Sequence, residues 1–107
     1  MALGDFEQLV LLAILRLRDD AYGITIRDEI ENRARRTASL GAIYTALDRL
    51  EKRKFVTSWT GGATPERGGR AKRFYKVEAA GQAALKESLA ATKRMVTGLE
   101  VPLGGLR

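Results

Sequence analysis

The stretch FVTSWTGGATPERGGRAKRFYKV, residues 55–77, decides the fold of this 107-residue chain. Its two ends, residues 55–60 and 73–77, are rich in β-branched and aromatic side chains, which is typical of strands. Residues 61–69 between them combine glycine, proline and small polar residues, a composition that forms turns. The stretch therefore predicts a two-stranded hairpin with a cationic tip.

Helical periodicity surrounds this hairpin. The spacing of apolar residues predicts a helix over 6–17, a second from 21 to about 34, and a third that Ser39 caps. Arg33, Arg35 and Arg36 complement the dipole of the second helix, and a fourth helix is predicted over about 79–96. Three helices, a hairpin and a last helix form the order of a winged helix-turn-helix. We expect a mainly α fold with a small β-hairpin, that is, a winged helix-turn-helix with a C-terminal dimerisation helix.

The length leaves room for one small domain, and a domain of this size buries a modest fraction of its surface. We therefore expect the chain to need a partner subunit for stability. The predicted elements place a winged-helix DNA-binding domain at residues 1–78, a dimerisation helix at 79–96 and a flexible tail at 97–107.

Positive charge is concentrated in one segment of the chain. Residues 49–76 hold nine Lys and Arg against two Glu, a net charge of +7, so the rest of the chain sums to about −1. A field so localised attracts a polyanion, either nucleic acid or an anionic membrane surface. A charge run kept only for solubility is more often spread along the chain and mixed in sign.

The composition excludes several kinds of chemistry. The chain contains no Cys and no His, which removes disulfides, the usual zinc sites and every imidazole base. We find no carboxylate pair or activated nucleophile in an apolar setting, so we expect neither an enzyme nor a cofactor or metal. The apolar run 9–15 is only seven residues long and follows acidic rather than cationic residues, which predicts a cytoplasmic protein with no membrane partner.

The third helix and the hairpin hold the predicted contacts with double-stranded DNA. The first residues of the helix are small, which would let its backbone approach base edges in the major groove. A cation further along this helix would meet the DNA backbone rather than bases. In the hairpin, glycines allow a turn close to phosphates, and cations neutralise phosphate charge. The predicted contacts are Ser39, Gly41, Ala42, Tyr44, Thr45, Arg49, Arg67, Gly69, Arg70, Lys72 and Arg73.

The aromatic residues leave alternatives open. Tyr44 follows Ile43 directly, so it is either a core residue or a donor to DNA. Trp59, in the first strand, favours packing over stacking on a base. Phe74 and Tyr75 point to opposite sides of their strand, so one should anchor the hairpin to the core and the other should face outward.

Two apolar surfaces predict a homodimer. The first helix is apolar around much of its circumference, so its second side either contacts a second copy or is covered by other helices of the same chain. The fourth helix has a narrow apolar seam that fits packing against another helix. The predicted dimer interface comprises Leu11, Leu12, Leu15, Leu85, Leu89, Thr92 and Val96.

Four stretches of the chain carry a resemblance to a known family: LGDFEQLVLLAILRL (3–17), AYGITIRDEIE (21–31), SLGAIYTALDRLEKRKFV (39–56) and ERGGRAKRFYKVEAAGQAAL (66–85). Together they resemble the PadR-like family of transcriptional regulators. The resemblance implies a cytoplasmic DNA-binding homodimer, usually a repressor, whose wings and third helices bind an inverted repeat and whose first and last helices form the dimer. It implies DNA contacts at Ser39, Gly41, Tyr44, Thr45 and the wing cations.

Three features depart from the pattern of that family. Lys54 stands where the family usually has a glycine that ends the third helix in a left-handed conformation. Keeping that geometry with a lysine should cost about 1 kcal/mol. Glu78 stands where a threonine commonly caps the last helix. The last helix contains no aromatic residue, so the site at which some relatives bind flat aromatic drugs is not expected here.

We therefore expect a sequence-specific DNA-binding transcriptional regulator, in the first place a homodimeric repressor of an inverted-repeat operator. A small-molecule effector that releases it from DNA is left open. The alternative is a DNA-binding or protein-interaction module that uses the same fold without choosing a sequence. The sign of regulation comes from the resemblance and not from the residues.

Overall fold

The structure, a computed structural model, describes residues 3–61 and 71–99. Its elements follow the predicted order of three helices, an antiparallel hairpin and a last helix. They are α1 Asp5–Leu17, followed by a 3-10 turn Arg18–Asp20; α2 Gly23–Glu29, followed by a π-helical turn Ile30–Ala34; α3 Leu40–Lys52; β1 Val56–Thr60; β2 Arg73–Val77; and α4 Ala79–Val96. This is the mainly α winged helix-turn-helix that the sequence predicts.

The core lies between α1, α2 and α3 and extends to the hairpin and to the first half of α4. Leu85 carries α4 into this core, with 4% of its surface exposed. Apolar burial supplies the main driving force for folding, so the start of α4 is stabilised together with the winged helix. The largest fully buried side chains are Val10, Leu11, Ile26, Ile43, Leu47, Leu50 and Val56.

Leu11 is a correction to the predicted dimer interface. Its exposed fraction is 0%, because other elements of the same chain cover the side of α1 that holds it. The apolar pattern of α1 marks two sides of the helix but does not tell which partner covers each side. Leu12 remains half-buried and Leu15 is 41% exposed, so these two residues are still accessible.

Backbone hydrogen bonds fix the hairpin to the helices. The N–H of Tyr75 donates to the carbonyl oxygen of Ala21 at 2.9 Å, and Tyr22 forms an isolated antiparallel bridge with Phe74. The residues before α2 thus act as a short third strand beside β2. Within the hairpin the opposed pairs are Val56 and Val77, Thr57 and Lys76, Ser58 and Tyr75, Trp59 and Phe74, and Thr60 and Arg73.

The aromatic side chains of the hairpin have packing roles. Tyr75 is the anchor: it is buried against the core, and this burial raises the pKa of its hydroxyl. Phe74 is half-buried on the other side of β2, where its ring meets Tyr22 edge-on at 5.5 Å between centroids. The indole of Trp59 stacks on Phe74 at 5.8 Å and keeps one side exposed.

The starts of α3 and α4 are stabilised in different ways. Ser39 Oγ accepts a hydrogen bond from the N–H of Ala42 at 3.0 Å, which confirms the predicted cap of α3. Glu78 does not cap α4; its carboxylate accepts from the hydroxyl of Thr57 at 2.8 Å. Gly81 then packs so closely that a Cβ atom there would overlap the carbonyl oxygen of Phe55. The start of α4 is therefore held by the hairpin rather than by a side-chain cap.

The turn after α3 keeps the left-handed geometry with a lysine. Lys54 has φ 64°, and its N–H donates to the carbonyl oxygen of Glu51 at 2.9 Å. The N–H of Phe55 donates to the carbonyl oxygen of Leu50 at 2.9 Å, which completes the pair of bonds of a Schellman motif. Glycine is favoured at this position because it has no Cβ atom, so Lys54 carries backbone strain.

Replacing Lys54 with glycine should therefore stabilise the fold. Relief of the left-handed strain should stabilise the folded state by about 1 to 2 kcal/mol. Glycine also gives the unfolded chain more conformational freedom, which offsets about half of this stabilisation. We expect the free energy of unfolding, measured by urea denaturation, to rise by about 0.5 to 1 kcal/mol. Lys52→Gly is the matched control, because Lys52 ends α3 and glycine should lower stability there. An unchanged or lowered free energy for Lys54→Gly would contradict the strain.

Candidate nucleic-acid interface

The outer face of α3 is exposed along its length. Its inner residues, among them Ile43, Leu47 and Leu50, are buried in the core, which fixes the rotation of the helix. The outer face is small at the start of the helix and charged toward its end, where Arg49 and Lys52 stand with Asp48. Small residues at the start of a helix suit its insertion into a major groove. The structure brings together on this face Ser39, Gly41, Ala42, Tyr44, Thr45 and Arg49, all of them exposed.

Tyr44 lies at the surface and not in the core, since 46% of it is exposed. Its hydroxyl lies against Gly23, the first residue of α2, so closely that a Cβ atom on Gly23 would overlap it. The packing holds the phenol beside the start of α2, between α3 and the hairpin. A phenolic O–H in this position can donate to a phosphate or to a base.

A groove of about 470 Å³ lies between Tyr44 and the base of the hairpin. Lys72 Nζ is 4.4 Å from the centroid of the Tyr22 ring, a cation–π contact that places the ammonium at this groove. Ion pairing with phosphate oxygens would be favourable here, because the cation keeps its charge. The groove is lined by Tyr22, Gly23, Ile24, Tyr44, Ala71, Lys72 and Arg73.

Arg73 is oriented by contacts with β1 and with the end of α3. Its Nε donates to Ser58 Oγ at 3.1 Å, and its Nη2 lies 3.8 Å from Glu51 Oε1. The hydroxyl of Ser58 in turn donates to Glu51 Oε2 at 2.7 Å. More than half of the Arg73 side chain is exposed, so it can also reach an external anion. The other predicted hairpin contacts, Arg67, Gly69 and Arg70, lie outside the described residues.

Spacing along the sequence did not reveal Tyr22 and Ile24 as part of this groove. Tyr22 directly precedes α2, and Ile24 lies in its first turn. The two residues meet the hairpin only because β2 pairs with the segment before α2. The tripeptide AYG at residues 21–23 was the available signal, since a small residue and a glycine around a tyrosine permit close packing.

An apolar groove of about 670 Å³ runs between α1 and α4. Leu12 and Leu15 line it from α1, and Leu85 and Leu89 line it from α4. Leu89 is 40% exposed, whereas Leu85 lies mainly in the core. Thr92 is exposed and Val96 half-buried, and their helical spacing continues the seam of α4.

The two shortest ion pairs among the described residues lie away from α3. Arg16 Nε and Arg33 Nε donate to Glu29 Oε2 at 2.9 and 3.0 Å, and these bonds hold the pKa of that carboxyl below its usual value. The pair of bonds joins α1 to the end of α2, which is a structural role.

Within residues 3–61 and 71–99, no three acidic, His or Cys side chains are grouped so that they could hold a metal ion. The helices of the same part of the chain are all too short or too polar to cross a membrane.

Comparisons with known proteins agree with the winged helix. Residues 11–87 match the family described as Transcriptional regulator PadR-like family. No curated protein sequence matches the chain. A PadR-like transcription factor from Bacteroides fragilis is 24% identical with a TM-score of 0.68, over 84% of this chain and 82% of that one.

Two further solved structures are similar in fold. A PadR family transcription regulator from Clostridium difficile R20291 is 20% identical with a TM-score of 0.67, over 84% of this chain and 90% of that one. The protein hsRosR, in a structure described as the complex hsRosR-S4, is 20% identical with a TM-score of 0.67, over 92% of this chain and 77% of that one.

The family match and the shared fold lead to one assignment. The matched segment includes most of α1 and all of α2, α3 and the hairpin strands, and it covers well over half of the chain. The family is one of transcriptional regulators with a DNA-binding winged helix, not a family of enzymes. The chain belongs to the PadR-like family of transcriptional regulators.

Proposed function

We propose that this regulator is a homodimeric repressor that binds an inverted-repeat operator in double-stranded DNA through α3 and the basic hairpin. The observation that carries the proposal is the outer face of α3, which is exposed, small at its start and bordered by cations. Membership of a family of transcriptional regulators supports gene regulation as its purpose. Repression rather than activation is supported by the family resemblance.

In this proposal α3 enters the major groove with its first turns closest to the bases. The hydroxyls of Ser39 and Thr45 can bond to base edges or phosphates, and the methyl group of Ala42 can touch a thymine methyl. The hydroxyl of Tyr44 and the ammonium of Lys72 border one groove, so both can meet the same stretch of DNA backbone. The cations at 67 and 70 would extend this contact along the flanking phosphates.

A second copy of the chain is the proposed occupant of the apolar groove between α1 and α4. Helix α4 has 18 residues, or about 27 Å, and only its first half is packed into the core. Its exposed Leu89 and the exposed Leu15 of α1 line this groove, so a second α4 could bury both. A two-fold dimer would present two α3 helices to half-sites about 34 Å apart, so we expect the operator to be an inverted repeat.

Regulation by a small effector is a further part of the proposal. The effector would release the protein from its operator by favouring a dimer geometry in which the two α3 helices no longer match the half-sites.

The proposed compartment is the cytoplasm, because a transcriptional regulator must reach the DNA that it binds.

A module that binds DNA without choosing a sequence is the second candidate. One observation favours it: Gly41 and Ala42, at the start of the outer face of α3, have no side-chain group that can hydrogen-bond to a base. Specificity would then have to come from a few hydroxyls and from DNA shape.

Selection from genomic DNA separates the two candidates. Purified protein is incubated with fragmented DNA of its source organism at about 150 mM salt, and the bound fragments are sequenced. We expect strong enrichment of one inverted repeat, especially upstream of a gene. Enrichment that does not depend on sequence would support the second candidate, and the absence of any bound DNA would contradict both.

Removal of the Tyr44 hydroxyl should weaken binding to the enriched site. Tyr44→Phe loses one hydrogen bond, so we expect affinity to fall about fivefold to tenfold, equivalent to about 1 to 1.4 kcal/mol. Fluorescence anisotropy with a labelled duplex measures the change. Gly23→Ala should weaken binding in a similar way, because it keeps the hydroxyl group of Tyr44 but displaces the phenol ring that carries it. Wild-type affinity in both variants would remove Tyr44 from the interface.

A charge in the apolar groove should prevent the dimer. Leu89→Asp places a carboxylate on the seam of α4, so we expect the molecular mass measured by light scattering to fall from that of two chains to that of one. Ala80→Asp is the control, since Ala80 is exposed on α4 and does not line the groove. A Leu89→Asp variant that remains a dimer would show that this groove is not the interface.

A further inference from the structure

A second groove lies on the side of α3 away from the hairpin. It has a volume of about 850 Å³ and separates the start of α1 from the outer face of α3. Ala42, Thr45 and Arg49 belong both to its wall and to the predicted DNA contacts, so DNA seated on α3 must pass beside it. Its charged residues are Asp5, Glu7, Arg36, Arg49, Lys52 and Arg53.

The charges of this groove are not balanced within the described chain. Arg53 Nη1 lies 3.8 Å from Glu7 Oε1, and its guanidinium lies 4.5 Å from the centroid of the Phe55 ring. That pair closes one end of the groove. Among residues 3–61 and 71–99, no carboxylate lies within ion-pair distance of Arg36, Arg49 or Lys52. These three cations therefore leave a net positive edge beside the outer face of α3.

Arg36 is held in place without being neutralised. Its guanidinium carbon lies 5.5 Å from the centroid of the Phe6 ring, at the start of α1. A cation–π contact orients a guanidinium and leaves its N–H donors available for an anion. The backbone supports this position, because Arg35 takes φ 55° and so turns the chain out of the π-helical turn. Two residues after Arg36, Ala38 is buried and anchors the segment before α3.

The geometry points to a second phosphate-contacting edge, formed by Arg36, Arg49 and Lys52, that binds the DNA strand on the rim of the major groove opposite the hairpin. This inference rests on the proposed function, in which α3 lies in the major groove. A helix in a groove about 12 Å wide has a phosphate strand on each side. Lys72 and Arg73 line the groove on one side of α3, and Arg36, Arg49 and Lys52 supply positive charge in the groove on the other side.

Salt-dependent binding tests the Arg36 edge. Affinity of the whole chain for the enriched operator, or for a 30-base-pair duplex of mixed sequence if none is enriched, is measured between about 50 and 300 mM salt. We expect Arg36→Gln to lower affinity about threefold to tenfold and to reduce the slope of log affinity against log salt by about 1. The loss should be equal for matched and scrambled sequences, because phosphates carry no sequence information. Arg94→Gln, an exposed arginine of α4 that pairs with Glu87, is the control and should leave both quantities unchanged.

A double-mutant cycle tests the role of the Phe6 ring. Phe6→Leu keeps an apolar side chain but removes the ring under Arg36, so it should weaken binding by part of the Arg36→Gln effect. In the Arg36→Gln background the same change should have no further effect, since no cation remains to be oriented. Thermal melting of each variant verifies that the fold is retained. Hydroxyl-radical footprinting should show lost protection on the strand away from the hairpin.

The outcomes separate this inference from the proposed function. Wild-type protein that binds no duplex would overturn the proposed function and the Arg36 edge with it. Binding by the wild type with unchanged affinity and salt slope in Arg36→Gln would overturn only the Arg36 edge. A loss of affinity with an unchanged slope would also overturn it, because the arginine would then act on the fold and not on phosphate.

Discussion

The interface depends on the contact between β2 and the residues that precede α2. A two-stranded hairpin is marginally stable in water by itself. Here the N–H of Tyr75 bonds to the carbonyl oxygen of Ala21, and Tyr22 bridges Phe74, so β2 gains a neighbour that leads directly into α2. Burial of Tyr75 adds an apolar anchor on the other side. Because α2 packs on α3, the cations at the base of the hairpin have a fixed position relative to the outer face of α3.

Among the described residues, some cations are oriented by carboxylates and others by aromatic rings, and the difference matters for binding anions. Arg16 and Arg33 share the carboxylate of Glu29, so their charge is partly neutralised within the chain. Lys72 and Arg36 lie over the rings of Tyr22 and Phe6 instead. A ring orients a cation through its quadrupole and adds no net charge, so the field of the cation still reaches an approaching polyanion. Lys72 and Arg36 are on opposite sides of α3, where phosphates would lie in the proposed complex.

Local patterns predicted most of the fold because their physical causes are local. Ser39 was recognisable as a cap since a hydroxyl before an apolar period can accept the free N–H groups of a helix, and the bounds of α4 agree with the prediction. The errors concern contacts between elements. Leu11 was assigned to the dimer because an apolar pattern does not show which neighbour covers it. The contact of Arg36 with Phe6 was not predicted, because it joins residues thirty positions apart.

Glu78 is the single residue between β2 and α4, and the contacts around it fix α4 to the hairpin. Its N–H bonds to the carbonyl oxygen of Phe55 at 2.8 Å, its carboxylate holds Thr57, and Gly81 rests on the same Phe55 carbonyl. Helix and hairpin must therefore turn together as one rigid body. In a dimer built on α4, the crossing angle of the two α4 helices would therefore set the distance between the two hairpins.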